Sequence, residues 1–312
     1  MIDWFLYCIG CLFGFQKVKS YLALKFYNHG AWCDTIARGI VGKSKGKVGK
    51  TTSVGIKLCT EPCWKKAVKA YQRAIRFKPD YAEAHNDLGV AYGELGRWHE
   101  ALEACQQAIR LQPNDAWAHY NLGWAYDNLG RLQEALAAYQ QAIRLQPDFV
   151  KAHTNLGQTY KSLGRLQEAL AANQQVVHLL PWSASAHNNL GVAYGDLGRY
   201  QEEVAACQQA IHLKPDNAQV HYNLGCAYGK LGRYQEAAVA YQQVIRLQPD
   251  NALAHYNLGV VYLLLGYKGA VFEEYEILKA LDQNLANDLF NLGRPFAELP
   301  LSAERTDPGT GG

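Results

Sequence analysis

The chain has 312 residues, a formal net charge of +3 and eight cysteines, and its charge is unevenly spread. Residues 1–60 carry nine Lys or Arg against two Asp or Glu (+7), and the remainder carries 22 against 26 (−4). That mildly acidic remainder argues against a continuous basic track for nucleic acid, and the apolar run Trp4 to Phe15 is too short for the roughly 20 residues of a spanning helix.

At the N-terminus Asp3 stands where a secretory leader would be positive, and Lys17, Lys19 and Lys25 follow the apolar run. That order suits an interfacial anchor; an anchor, a peripheral helix and an extension outside the functional protein are the open readings. The expectation is a cytoplasmic protein, with peripheral membrane association through residues 1–27 as the alternative. Cys8-x-x-Cys11 and Cys59-x-x-x-Cys63 have the form of zinc-ligand pairs, but no fold connects two pairs 47 residues apart, and no metal is expected. Ser44 to Thr52 resembles the phosphate loop of the ParA and MinD ATPases, with Lys47 where those proteins have Gly. Such a loop needs a strand before it and a sheet that supplies a magnesium-binding carboxylate, and residues from Thr60 onward already belong to repeats. Residues 1–60 are therefore an apolar, then basic, linker or anchor, and no cofactor is expected.

A partial repeat is expected at 61–81. Ala67, Tyr71, Ala74 and Pro79 match a second helix, whereas the first, Val48 to Pro62, keeps only Val54, Gly55 and Leu58 of the pattern. Beyond it, Pro79, Pro113, Pro147, Pro181, Pro215 and Pro249 recur every 34 residues. Six units follow, at 82–115, 116–149, 150–183, 184–217, 218–251 and 252–285. Each has Leu-Gly at positions 7 and 8, Tyr at 11 and Gly at 15, as in Leu122, Gly123, Tyr126 and Gly130. At 100° per residue, positions 4, 7, 8 and 11 form one buried stripe. Gly at position 8 lets a second helix cross closely, and Gly at position 15 supplies the left-handed residue that ends the first. Asp115, Asn217 and Asn251 are placed to cap the next unit. Two positions break the pattern: Asn173 replaces the aromatic or Cys of position 24, and Glu203 stands where Ala101, Ala135, Ala169 and Ala237 stand elsewhere. Packing is expected to be weakest there. Leu285 to Leu292 begins a capping helix, placed at 286–300, before a disordered tail at 301–312.

These motifs resemble the tetratricopeptide repeat (TPR), which implies an all-α, right-handed superhelical solenoid of helix-turn-helix units. Cys105, Cys207 and Cys226 fall in separate units and read as free thiols. His85, His119, His153, His187, His221 and His255 form a ladder at position 4, read as packing residues facing the second helix. Successive repeats displace these rings instead of gathering them as ligands.

Positions 2, 5, 6, 9 and 13 lie opposite the buried stripe, and stacking turns them into a concave wall. Position 6 carries Asp87, Asn121, Asn155, Asn189, Asn223 and Asn257. A carboxamide donates and accepts, so an Asn ladder suits an extended peptide backbone; the resemblance to the O-linked N-acetylglucosamine transferases implies that use. The competing reading is that each Asn bonds the neighbouring helix. Trp117, Tyr120 and Trp124 supply three aromatics to one stripe, joined by Lys151, Gln158, Tyr222 and Tyr256. No nucleophile, base and acid constellation appears, so the expectation is a non-catalytic scaffold holding an extended peptide or protein segment. The alternative is a substrate-delivering or regulatory subunit of a larger enzyme complex.

Overall fold

The coordinates are a computed structural model that describes residues 51–297 and, apart from them, only Asn28. The apolar run, Cys8, Cys11 and the segment Ser44 to Lys50 lie outside the described residues. Within these there are fourteen helices and no strand. Helix α1 (Thr51–Phe77) is followed by six hairpins: α2 (Ala82–Glu94) with α3 (Trp98–Leu111), α4 (Ala116–Asn128) with α5 (Leu132–Leu145), α6 (Val150–Ser162) with α7 (Leu166–Leu179), α8 (Ala184–Asp196) with α9 (Tyr200–Leu213), α10 (Ala218–Lys230) with α11 (Tyr234–Leu247), and α12 (Ala252–Leu265) with α13 (Lys268–Leu281). Helix α14 (Gln283–Ala297) comes last.

One turn explains every hairpin. Helix α4 stops at Leu129, Gly130 takes φ of 72°, and the chain reverses. The Gly130 amide donates to the Asp127 carbonyl (3.0 Å) and the Arg131 amide to the Tyr126 carbonyl (2.9 Å), which satisfies the carbonyls a helix leaves open at its end. Five further glycines, from Gly96 to Gly266, hold the same left-handed conformation. No glycine lies between Ile56 and Lys78, and there the chain makes a single helix past Pro62, where the sequence reading splits it in two. At the crossings a Cβ on Gly123 would lie 2.7 Å from the Tyr139 ring, and one on Gly225 2.7 Å from the Tyr241 ring. Hydrogen at these positions lets helix backbones meet over an aromatic.

The chain divides into two compact units between Gln175 and Val176. In the first, Trp64, Val68 and Tyr71 of α1 pack with Leu88 and Tyr92 of α2 and Ala101 of α3, and a second cluster joins Leu136 and Tyr139 to Leu156 and Tyr160. In the second unit the largest cluster joins Val204, Cys207, Val220, Leu224, Tyr228, Tyr241 and Leu258. Burial pushes the Cys105 and Cys207 thiols up to about 12, so both stay protonated and behave as small apolar groups. At the C-terminal end Gly259 abuts Leu289 of α14, which is fully buried with Leu278 and Ala286.

Asp115, Asn217 and Asn251 each accept a backbone N–H of the following helix, at 2.9, 3.2 and 3.0 Å, and Ser183 does the same for Ala186 at 3.3 Å. The two irregular positions differ in outcome. Asn173 is satisfied, its amide donating to the Ala169 carbonyl at 2.9 Å beside Gly157. Glu203 is 8% exposed and lies on Gly195, where an added Cβ would stand 2.6 Å from a carboxylate oxygen. Burial first, then the nearby Asp196, pushes its carboxyl up to about 7.

Candidate functional site

The candidate site is the face that each first helix of a hairpin turns away from its second. Three recurring bonds fix that face. The histidine ladder makes the first: each ring Nε2 lies 2.8–3.0 Å from the carbonyl oxygen of the proline six residues earlier, as His153 does with Pro147 and His221 with Pro215. These histidines therefore lock the turn between units as well as filling space, which corrects the expectation of plain packing. His255 adds a second contact, its Nδ1 lying 2.6 Å from the buried Glu274 carboxylate. The second bond joins successive units through the buried stripe. Gln72, Gln140 and Gln208 donate to the hydroxyls of Tyr92, Tyr160 and Tyr228, at 2.8, 2.9 and 3.0 Å.

The third is the Asn ladder. Asn121 Nδ2 donates to Asn86 Oδ1 (2.9 Å) and Asn223 Nδ2 to Asn188 Oδ1 (3.0 Å). Where position 5 is Tyr, the hydroxyl accepts instead: Asn155 reaches Tyr120 (3.3 Å) and Asn257 reaches Tyr222 (2.8 Å). Asn155 also donates to the Tyr139 hydroxyl at 3.2 Å. Each of the four has a partner 35 residues back on the preceding repeat. Asn121 is only 6% exposed. These four amides thus bond the neighbouring helix, the second of the two sequence readings, whereas Asn189 is exposed.

The aromatic stripe divides in the same way. Trp117 is 45% exposed, with Lys151 Nζ 5.1 Å from its ring and Phe149 behind it at 4.6 Å. Tyr120 is half-buried between Phe149 and Tyr139, and burial raises its hydroxyl pKa. Trp124 is half-buried, set edge-on to Trp98 at 4.8 Å and pressed onto Gly93, where a Cβ would collide with it. Trp124 is thus a fixed wall and not the fully open anchor that spacing alone suggests. Tyr222 packs on Tyr241 at 5.8 Å, and Tyr256 is half-buried against the Leu278, Ala286 and Leu289 cluster. Lys151 and Gln158 are exposed.

In the first unit these side chains bound an open cleft of about 350 Å³ lined by residues of α2, α4 and α6: Asn86, Asp87, Val90 and Glu94, then Trp117, Tyr120, Asn121 and Trp124, then Lys151. Gln158 and Asn155 are not among the lining residues. In the second unit Tyr222 lines a separate cavity of about 640 Å³ with Asn217, Gln219, Gln248, Asn251 and Leu253.

Sequence reasoning passed over one further recurrent device at the hairpin turns. Arg97, Arg131, Arg165, Arg199 and Arg233 each lie over a Tyr ring of the same unit, at 4.5–4.8 Å. Each also pairs with the Glu three residues on, at 2.6–2.7 Å. The signal was the repeated Arg-x-x-Glu that follows each turn glycine. These pairs are solvent-exposed and add little stability individually.

Profiles of the TPR repeat match residues 196–232 and 227–266, and profiles of the tetratricopeptide repeat match residues 80–148 and 120–181. Together the matches take in more than half of the 312 residues. No curated protein matches the chain. Among solved structures, MamA (residues 41 to the end) from Desulfovibrio magneticus RS-1 is 25% identical, with a TM-score of 0.51 over 55% of this chain and 96% of its own. YrrB, described as a TPR protein with an unusual peptide-binding site, is 22% identical, with a TM-score of 0.53 over 61% of this chain and 99% of its own. PilF from Pseudomonas aeruginosa is 18% identical, with a TM-score of 0.56 over 68% of this chain and 96% of its own. The last two likenesses show the fold alone.

Proposed function

The chain belongs to the tetratricopeptide-repeat family, a fold of protein-interaction scaffolds, and we propose that its first unit holds an extended peptide segment in the cleft between α2, α4 and α6. The observation that carries this reading is Trp117, a large aromatic left 45% exposed at the rim of an open cleft whose other walls are held by hydrogen bonds and stacking. An exposed Trp beside a pre-organised concavity is the usual anatomy of a binding hot spot. The Asn ladder contributes by tying successive first helices together, so the wall stays rigid and little ordering entropy opposes binding. Lys151 and Gln158 of the first unit remain for polar contact with a partner, and Asn189, Tyr222, Asn223, Tyr256 and Asn257 belong to the corresponding face of the second unit taken by itself. The proposed role is non-catalytic.

The test uses the full chain. A randomised dodecapeptide library is panned on it, and the affinity of an enriched peptide is measured for the wild type and for Trp117→Ala. Removing the hot spot costs about 2 kcal/mol, roughly thirtyfold in affinity, with the denaturation midpoint little changed. Equal affinity for both proteins would exclude Trp117 from the contact.

A further inference from the structure

We infer that the chain pairs tail to tail with a second copy of itself, through the exposed stripe of α13 that carries Phe272, Glu276 and Lys279. Two positions of each hairpin reach forward to the next. Position 21 is apolar and buried at Leu136, Leu170, Val204 and Ala238, each 4–7% exposed. Leu136 shares a cluster with Leu156 and Tyr160 of α6, and Val204 shares one with Leu224 and Tyr228 of α10. Position 25 is the glutamine that donates to the next tyrosine hydroxyl, as Gln140 and Gln208 do. In the last hairpin these two positions are Phe272 and Glu276. Helix α14 joins a cluster with Leu278 and Val271 but leaves Glu276 exposed and Phe272 62% exposed. A terminal solenoid unit ordinarily turns a polar face outward, whereas this one shows an aromatic ring where stacking continues in every interior unit.

The charges on the stripe identify the occupant. Phe272, Glu276 and Lys279 are spaced i, i+4 and i+7, so they share one face of the helix. Lys279 Nζ lies 2.9 Å from the Glu276 carboxylate and 5.4 Å from the Tyr275 ring, and Tyr275 lies 6.2 Å from Phe272. A face that holds one acid, one base and an aromatic row is its own complement. A two-fold axis crossing α13 between Glu276 and Lys279 sets the two helices antiparallel and lays each acid on the mate's base, while the mate's helix takes Phe272 out of water. One helix face from each copy buries less than the roughly 1,200 Å² of a lasting complex, so the pair is reversible and forms at micromolar concentration. None of these residues lines the first-unit cleft, and the two surfaces are tested separately.

The experiment is sedimentation of the full chain across the micromolar range. The mass is expected to rise with concentration and to stop at twice that of the monomer, because a two-fold contact closes on itself. Phe272→Ser is expected to weaken the pairing about tenfold or more. Lys279→Glu makes the stripe wholly acidic and Glu276→Lys makes it wholly basic, so each variant alone is expected to stay monomeric where the wild type dimerises, and an equimolar mixture of the two is expected to dimerise again. All three positions are exposed, and a denaturation curve for each variant separates a folding defect from a lost contact. A wild type that stays monomeric throughout, growth beyond the dimer, a dimer indifferent to all three substitutions, or a mixture that fails to pair would each overturn the proposal, the last by showing that something other than the same face of a second copy covers the stripe.

Discussion

Glu203 gives the most quantitative prediction. Its carboxylate is buried on Gly195 in the α8 and α9 hairpin, beside Asp196, and its pKa is raised to about 7. In the unfolded chain the same group titrates near its ordinary 4.5. Below that value both states are protonated and the residue costs nothing; between 4.5 and 7 the unfolded chain releases the proton first, so stability falls as pH rises; above 7 the full cost persists. At about 1.4 kcal/mol per pKa unit the ceiling is about 3 kcal/mol, and solvent screening on the open side of the hairpin brings it to about 1 to 2. Glu203→Gln removes the titration at constant volume. Urea denaturation and hydrogen exchange of α8 and α9 at pH 5.5 and 8.5 test it. The wild type is expected to gain about 1 kcal/mol relative to Glu203→Gln on going from pH 8.5 to 5.5, with the exchange difference concentrated in this hairpin. Identical pH dependence in both proteins would show that the carboxylate is solvated and the reasoning wrong.

Three further changes probe the scaffold. Gly123→Ala places a methyl 2.7 Å from the Tyr139 ring and is expected to cost about 1 to 3 kcal/mol by thermal or urea melting, because neither backbone can retreat. His153→Ala breaks the 2.9 Å contact with the Pro147 carbonyl and is expected to cost about 1 to 2 kcal/mol, with amide exchange rising first around residues 146–150. Trp124→Ala is expected to lower stability as well as binding, unlike Trp117→Ala, because it strips Trp98 of its edge-on partner; a melt indistinguishable from wild type would remove Trp124 from the wall.

The repeat architecture was legible because hydrogen is the one side chain that fits two of its positions. Gly130 must be left-handed and Gly123 must admit Tyr139, so period and residue type together specify the hairpin. Caps at Asp115, Asn217 and Asn251 were legible for the same local reason. Contacts across units were not. The bond from each His to a Pro carbonyl six residues back exists only once the turn has folded the chain onto itself, and the sequence shows merely a His at position 4. The Asn ladder permitted two partners, peptide or neighbour, and the choice depends on a helix spacing that brings position 5 of one unit within 3.3 Å of position 6 of the next. Trp124 looked exposed because helical phase reports direction alone; Gly93, one unit earlier, is what lets the ring sink. The α1 segment kept enough of the pattern to suggest a hairpin, but it lacks the glycine that would turn it.

The central claim is that peptide enters the cleft of α2, α4 and α6, and the seven tryptophans report on it directly. In the full chain labelled with ¹⁵N-tryptophan, each indole N–H is one resonance, assigned by single substitution. Titration with an enriched peptide is expected to shift Trp117 and Trp124 most, with Trp98 following through its contact with Trp124, while Trp64 and Trp182 stay in place. Saturable binding that moves Trp182 or Trp64 and leaves Trp117 unchanged would contradict the assignment of the site.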